Sequence, residues 1–171
     1  MGLSMYDGAV FRALQFKQDA GLWVAIGRTT VWSNEQVPPA VVQTAHDIDE
    51  AICYVRPYVS TLAKEVITGG DITIDAQDYE FVSDVAALTD QTARFLYLCA
   101  EYDPMVGMDN DNFRQVAVYA DLVPVTGHTT DLWLNPENVS DPGTLCYLHN
   151  ATVTTMSPIR RQLVELILEF K

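Results

Sequence analysis

Apolar and polar residues alternate with a short period along most of the chain, which predicts a protein built mainly of β-strands. The run Leu22–Ile26 is apolar throughout and ends at Gly27, as is typical of a strand buried on both faces. A second strand is predicted over Gln115–Val123, before Pro124. A third, over Leu163–Phe170, alternates between an apolar face and a face that carries glutamates.

Weaker patterns predict the remaining elements. Strands are expected over Ala51–Arg56 and Arg94–Tyr102, and a hairpin or two short strands over residues 72–81. The segment Val59–Ile67 fits either a strand or a helix, and residues 40–50 fit one or two helical turns. Near the start, Asp7 is a candidate N-cap for a helix, because apolar residues follow it at helical spacing.

These elements predict a mostly β protein of the α+β class, with about six to eight strands and one or two short helices. A chain of 171 residues, 49% of them hydrophobic, is long enough to bury a sizeable core. We therefore expect one structural domain over residues 1–171, with a short helical segment at 7–19 and a β-rich body at 21–171.

The charge balance restricts the class of partner. Charged residues make up only 19% of the chain, and the formal net charge is −13. A strongly acidic surface repels nucleic acids and anionic membranes, so neither is expected as a partner. The low charged fraction is what we expect when neighbouring subunits cover much of the surface. The residues show neither a signal peptide pattern nor an apolar span of membrane length, so we expect neither feature.

Potential metal ligands are scattered along the chain: Cys53, Cys99 and Cys146, and His46, His128 and His149. Neither set has metal-ligand spacing, so we interpret the cysteines as buried thiols and the histidines as surface or core-edge residues. The run Asp109–Asn112 begins like a calcium loop but lacks the later glycine and glutamate, which favours a solvated turn. No metal or cofactor is expected.

No catalytic motif is visible. Four acidic residues are candidates for paired carboxylates of the glycosidase type: Asp84, Asp90, Glu101 and Asp103. Among 23 acidic residues such pairs arise by chance, and no aromatic sugar platform accompanies them. The serines lie in no nucleophile elbow, and no glycine-rich phosphate loop is present. The sequence therefore predicts a protein without catalytic residues.

The loop after the first strand is the most distinctive segment of the chain. Pro38 and Pro39 restrict its backbone, Trp32 offers a large apolar surface, and Arg28 and Glu35 offer charge-assisted hydrogen bonds. We expect this loop to hold one shape and to lie at a subunit contact or brace one. The alternative is that Trp32 folds inward and closes the end of the β core.

The first strand and the pattern IGRTT-x-W-x-x-E-x-x-PP resemble structural proteins of tailed bacteriophages, nearest the baseplate wedge subunits of contractile tails. The stretch Asn112–Pro124, NFRQVAVYADLVP, resembles a second block of that family, and Gly143–Phe170 resembles a third. In the third block, Thr155–Pro158 replaces a basic loop of the family, and the arginine pair follows later, at residues 160–161.

The resemblance implies a structural subunit of a phage tail, assembled in the host cytoplasm and carried in the virion. Its expected partners are other tail or baseplate proteins or a second copy of the chain, which rigid loops dock. The candidate interface residues are Arg28, Trp32, Glu35, Pro38, Pro39, Trp133, Arg160 and Arg161. Trp133 is included because it lies in a polar loop, although a simple packing role is equally compatible with that position.

Two alternatives stay open at the level of the sequence. Within a phage tail, the chain is also compatible with a neck or head–tail connector protein or a tail-fibre adaptor. From another class, the alternative is a cytoplasmic small-ligand binding domain or an enzyme of unrecognised type.

Overall fold

The computed structural model describes residues 8–18, 21–90, 92–103, 112–156 and 161–171. Contacts divide the chain into two compact units. The first unit comprises Met1–Ala20, Tyr58–Cys99 and Glu165–Lys171, and the second comprises Gly21–Pro57 and Ala100–Val164. The single structural domain expected from the sequence stays a prediction.

Strands account for most of the regular structure. In chain order the elements are α1 (Gly8–Lys17), β1 (Trp23–Gly27), β2 (Ala51–Val55), β3 (Val59–Val66), β4 (Ile72–Ile74), β5 (Gln77–Val82), α2 (Asp84–Ala87), β6 (Phe95–Tyr102), β7 (Asn112–Ala120), β8 (Val123–Pro124), β9 (Trp133–Leu134), a 3₁₀ turn (Pro136–Asn138), β10 (Val139–Asp141), β11 (Thr144–Thr155) and β12 (Gln162–Glu169). The mostly β, α+β class predicted from the sequence is confirmed.

The second unit contains a five-stranded sheet in the order β11-β7-β1-β2-β9 and a two-stranded ribbon of β8 and β10. Neighbouring strands of the larger sheet run antiparallel; for example, Ala25 of β1 pairs with Tyr54 on one side and Ala117 on the other. Every residue of β1 is buried because this strand is central in the sheet and covered on both faces. The continuous apolar run at residues 22–26 was therefore interpreted correctly. Trp23 and Tyr119 lie in the core of this unit.

The second sheet has the order β12-β6-β3-β5-β4. In the first unit, β3 pairs with both β5 and β6, and this settles Val59–Ile67 as a strand rather than a helix. Tyr79 and Phe95 meet edge to face with ring centroids 5.3 Å apart, and Ala63 completes this small core. The strands predicted over residues 72–81 form a hairpin, β4 with β5.

The described residues contain twelve strands, more than the predicted six to eight. The excess comes from the twelve-residue β11, which was not among the predicted strands, and from β8, β9 and β10, which are two or three residues long. Strands of that length are too short to show a period in the sequence. Helix α1 confirms the predicted helical segment, but Asp7, its predicted cap, lies outside the described residues, as do residues 109–111 of the acidic run.

Two predictions were wrong. Residues 40–50 form turns rather than helix. The backbone N–H groups of Ile48 and Asp49 donate to the side chains of Tyr119 and Gln115, each at 2.8 Å, which replaces the bonds of a helical turn. Cys146 was expected to be buried like Cys53 and Cys99 but is exposed, because it lies on the edge strand β11.

Candidate protein-interaction site

The β1–β2 loop, residues 28–50, begins where β1 ends at Gly27. A Cβ at Gly27 would lie 2.6 Å from the carbonyl oxygen of Asp49, so only glycine lets the end of the loop approach β1 this closely. Arg28 follows with a φ of 59°, in the left-handed region. Its N–H donates to the carbonyl oxygens of Asp49 at 2.7 Å and Glu50 at 3.2 Å. The two ends of the loop are thereby joined through their backbones.

Side chains reinforce this closure. The Arg28 guanidinium donates to the Asp49 carboxylate at 2.7 Å, and its Cζ atom lies 3.8 Å from the centroid of the Trp32 ring. A guanidinium over an indole face is a favourable cation–π arrangement. Arg28 therefore joins the loop's end to its first turn.

Glu50 holds the first turn of the loop. Its carboxylate accepts hydrogen bonds from the backbone N–H groups of Thr29 and Thr30, each at 2.8 Å, and from both threonine hydroxyls. These bonds, led by the one from the Thr30 hydroxyl, lower the pKa of Glu50 to about 2. Glu50 therefore stays ionised, and an ionised carboxylate accepts stronger hydrogen bonds than a neutral acid.

Arg114, on β7, ties the first turn to the middle of the loop. Its Nε atom donates to both oxygens of Glu35, at 2.8 and 3.0 Å, and its terminal nitrogen donates to the Thr29 carbonyl at 2.7 Å. Glu35 also accepts the Trp32 N–H at 2.7 Å. Only 6% of Arg114 is exposed, and burying a charge at this depth is tolerated when it is paired and hydrogen-bonded.

Trp32 and Pro39 fasten the loop to β11. Trp32 is 8% exposed, and its indole N–H donates to the carbonyl of Ala151 at 2.9 Å. The Asn150 amide donates to the Pro39 carbonyl at 2.9 Å and accepts from Gln115 at 2.8 Å. The ring of Trp32 is thus packed inside its own unit, as the inward-folding alternative requires.

The C-terminal part of the loop is fastened to β7 by Tyr119. Its hydroxyl accepts the Ile48 N–H at 2.8 Å and donates to the Asp47 carboxylate. Burial, followed by the bond to Asp47, raises the pKa of Tyr119 above its usual value, so the hydroxyl keeps its proton at neutral pH.

Some of the exposed side chains of this fastened loop are apolar. Val31, Val37 and Val42 are 63%, 67% and 66% exposed. Val42 also lines a cavity of about 240 Å³, together with Trp32 and with Leu148 of β11. Exposed apolar side chains on a fixed backbone are typical of surfaces that other proteins cover.

Sequence comparison agrees with a role in a phage particle. The profile of the family described as "Baseplate wedge 3 tail fiber network component" matches residues 1–170. The chain belongs to this family. It is also 29% identical over 159 residues to "Virion protein 3" of Enterococcus phage phiEF24C, a match that covers 88% of this chain and 84% of the relative. The resemblance to baseplate wedge subunits is confirmed, and the chain is a structural protein of the phage tail.

In this baseplate wedge protein, part of the predicted interface set is contiguous. Arg28, Trp32, Glu35 and Pro39 belong to one hydrogen-bonded loop, and Pro38 is half-buried within it. Their polar groups bind the chain itself, so their use at a subunit contact stays a prediction.

The other predicted interface residues lie elsewhere. Trp133 is half-buried on β9, opposite Val55, and β9 forms the edge of the sheet opposite β11. Arg161 is exposed and forms ion pairs with Glu101 at 2.7 Å and Asp103 at 3.5 Å. Arg160 lies outside the described residues.

Several residues that hold the loop were not among the predicted site residues: Asp49, Glu50, Arg114, Gln115 and Asn150. A signal for two of them was present. Arg114 and Gln115 occupy buried positions of an otherwise apolar strand, where a polar side chain needs a partner. The partners themselves come from distant parts of the chain, so only the fold brings them together.

The described residues contain no group of three histidine, cysteine or acidic side chains placed to hold a metal ion. Among them, no helix is both long and apolar enough to cross a membrane. His46 and His149 are exposed and His128 is half-buried, in agreement with the prediction of surface or core-edge positions.

Proposed function

We propose that this chain is a non-enzymatic docking subunit of the baseplate wedge, assembled in the host cytoplasm, and that its β1–β2 loop contacts a neighbouring tail protein. The observation that carries the proposal is the set of exposed valines on a loop held by Glu50, Arg114 and Trp32. The neighbours are other baseplate or tail proteins, with copy number set by the symmetry of the tail.

Fixing the loop before assembly favours binding. A flexible loop loses conformational freedom when it docks, and each immobilised side chain adds to that cost. Here the chain's own hydrogen bonds already hold the backbone, so contact with Val37 and Val42 orders little further. In this proposal Trp32 and Arg114 act from within as a brace, and the valines form the contact surface.

The test is a double variant, Val37→Asp with Val42→Asp, which places two charges on the proposed contact surface. Because both side chains are largely exposed, we expect the thermal midpoint of the free subunit to stay near wild type. Incorporation into assembled tails, measured by complementation of a phage lacking the gene, is expected to fall sharply.

Val85→Asp is the matched control, since Val85 is also exposed but lies on α2 in the first unit. We expect this variant to enter tails normally. Normal assembly of the double variant, with the control unchanged, would contradict a docking role for the loop.

A tail-fibre adaptor role is the second candidate, supported by the words "tail fiber network" in the family description. The same experiment separates the two roles. Loss of docking in the wedge would prevent baseplate formation, whereas loss of an adaptor contact alone would leave baseplates that lack fibres.

A further inference from the structure

The cavity of about 240 Å³ in the second unit is lined by residues of the β1–β2 loop, of β7 and of β11. Pockets that bury a drug-sized ligand usually measure about 300–1,000 Å³, so this cavity is suited to one or two side chains rather than to a cofactor. Small pockets of this kind hold the anchor residues of protein interfaces. Most of the lining is apolar: Trp32, Pro39, Ala40, Val41, Val42, Ala45 and Leu148.

Three of the four polar residues that line this cavity are engaged in holding the loop. The Gln115 amide accepts the Asp49 N–H at 2.8 Å and donates to Asn150 at 2.8 Å. The Asn150 amide donates in turn to the Pro39 carbonyl at 2.9 Å. The Asp49 carboxylate forms an ion pair with the Arg28 guanidinium at 2.7 Å, so its charge is balanced within the chain.

Asp47 is the fourth polar residue of the lining, and its charge is not balanced in this way. Its Oδ1 atom accepts hydrogen bonds from the Tyr119 hydroxyl and the Ile48 N–H. Because Tyr119 is buried in the core, these bonds hold the exposed carboxylate in one place. None of the ion pairs that join described residues includes Asp47. The apolar cavity therefore presents a fixed negative charge.

We infer that this cavity receives an arginine side chain of a neighbouring tail protein, an inference that rests on the proposed docking role of the β1–β2 loop. Arginine combines an apolar stem with a charged head. In this arrangement the stem lies along Val42, Ala45 and Leu148, and the guanidinium donates to Asp47. The guanidinium is planar, matches a carboxylate and is less strongly hydrated than the ammonium of lysine, which makes arginine the better cation for an interface.

Other occupants match the cavity less well. An acidic side chain would be repelled by Asp47. A leucine would cover the apolar lining but would take water from the carboxylate without replacing its hydrogen bonds. A second copy of this chain carries the same net charge of −13, so the two copies repel each other.

The first experiment fills the cavity. Ala45→Phe places a ring where the arginine stem would lie, so we expect incorporation into tails to fall at least about tenfold, measured by complementation of a phage lacking the gene. Thr130→Phe is the matched control, because it adds the same ring at an exposed turn of the same unit. Thermal unfolding of the free subunits shows whether each variant is folded.

Asp47→Asn tests the charge and leaves the cavity open. Asparagine keeps an oxygen that can accept from Tyr119 and Ile48, so the thermal midpoint is expected to stay near that of the wild type. Because the site is exposed, we expect incorporation to fall about threefold or more. Asp121→Asn also removes one carboxylate from an exposed bend of the same unit, and this control is expected to enter tails normally.

A cryo-EM reconstruction of wild-type tails identifies the occupant. We expect an arginine of another tail protein in the cavity, with a guanidinium nitrogen within about 4 Å of an Asp47 oxygen. A cavity without a partner side chain, or one that holds an apolar residue, a small molecule or a second copy of this chain, would overturn the inference. Normal incorporation of either Ala45→Phe or Asp47→Asn would also overturn it. Where a neighbour still covers Val37 and Val42, the docking role of the loop stands without the arginine.

Discussion

At the scale of single residues, Trp32 shows how a fixed loop is built. The sequence left two placements open, an exposed contact residue and an inward plug. In the structure the ring is buried, and its N–H donates a hydrogen bond to the carbonyl of Ala151. The ring contacts Arg28 of the same loop and Ala151 of β11. Ala151 lies far along the chain, so its contact with Trp32 cannot be predicted from the sequence alone.

Trp32→Ala is expected to destabilise the free subunit by roughly 3–5 kcal/mol, because it removes a buried aromatic side chain and leaves a cavity. Urea unfolding measures the change in the free energy of unfolding. Trp32→Phe is the control: it keeps most of the apolar contact and loses the bond to Ala151, for an expected cost of about 1 kcal/mol. A Trp32→Ala variant as stable as the wild type would show that the ring is not part of the core.

The lowered pKa of Glu50 predicts that the stability of the protein depends on pH. Its pKa is lowered from 4.5 to about 2 in the folded protein, so folding favours the ionised form. The stabilisation is complete above the unfolded pKa of 4.5, and is lost as the pH falls from there through about 2. Glu50→Gln removes the titrating group.

We therefore expect the difference in thermal midpoint between wild type and Glu50→Gln to be largest near neutral pH and to shrink as the pH falls from 4.5 toward 2. Thermal unfolding at a series of pH values measures it. A difference that stays constant across this range would show that ionisation of Glu50 does not strengthen its hydrogen bonds to Thr29 and Thr30.

At the scale of elements, most of the longer strands were predictable from their apolar patterns, whereas the twelve-residue β11 was not predicted. The continuous run of β1 and the alternation of β12 each follow from the faces those strands bury. Strands β8 and β9 were not predicted because two residues carry no period. Residues 40–50 were predicted as helical because the spacing of their apolar residues fits a helix. In the structure, backbone N–H groups in this segment donate to the side chains of Tyr119 and Gln115 instead of to helical carbonyls.

The same reasoning explains how much of the candidate site could be predicted from the sequence. The loop itself was recognised from Trp32, Pro38 and Pro39, and its charged residues were expected to form strong hydrogen bonds. The partners of Arg28 and Glu35 proved to be Asp49 and Arg114 of the same chain. Pairings between residues so far apart follow from sheet order, which a single sequence does not specify.

At the scale of the whole molecule, composition and family membership agree. From the low charged fraction of 19%, the sequence predicted contact with other proteins, and the family consists of components of a baseplate assembly. A member of the baseplate wedge family functions within an assembly, so the surfaces that matter are those that neighbours cover. The surface proposed here for such a contact is the β1–β2 loop with its exposed valines.

The central claim is that a neighbouring protein covers the β1–β2 loop in the tail. The most direct measurement compares thiol labelling of a Val42→Cys variant in the free subunit and in purified tails that contain it. The variant also carries Cys146→Ser, because Cys146 is exposed and would react as well. Val42 is 66% exposed in the chain alone, so rapid labelling is expected there, with labelling slowed at least about tenfold in tails because neighbours exclude solvent from contact surfaces. Equal labelling rates in the free subunit and in the tail would contradict the account.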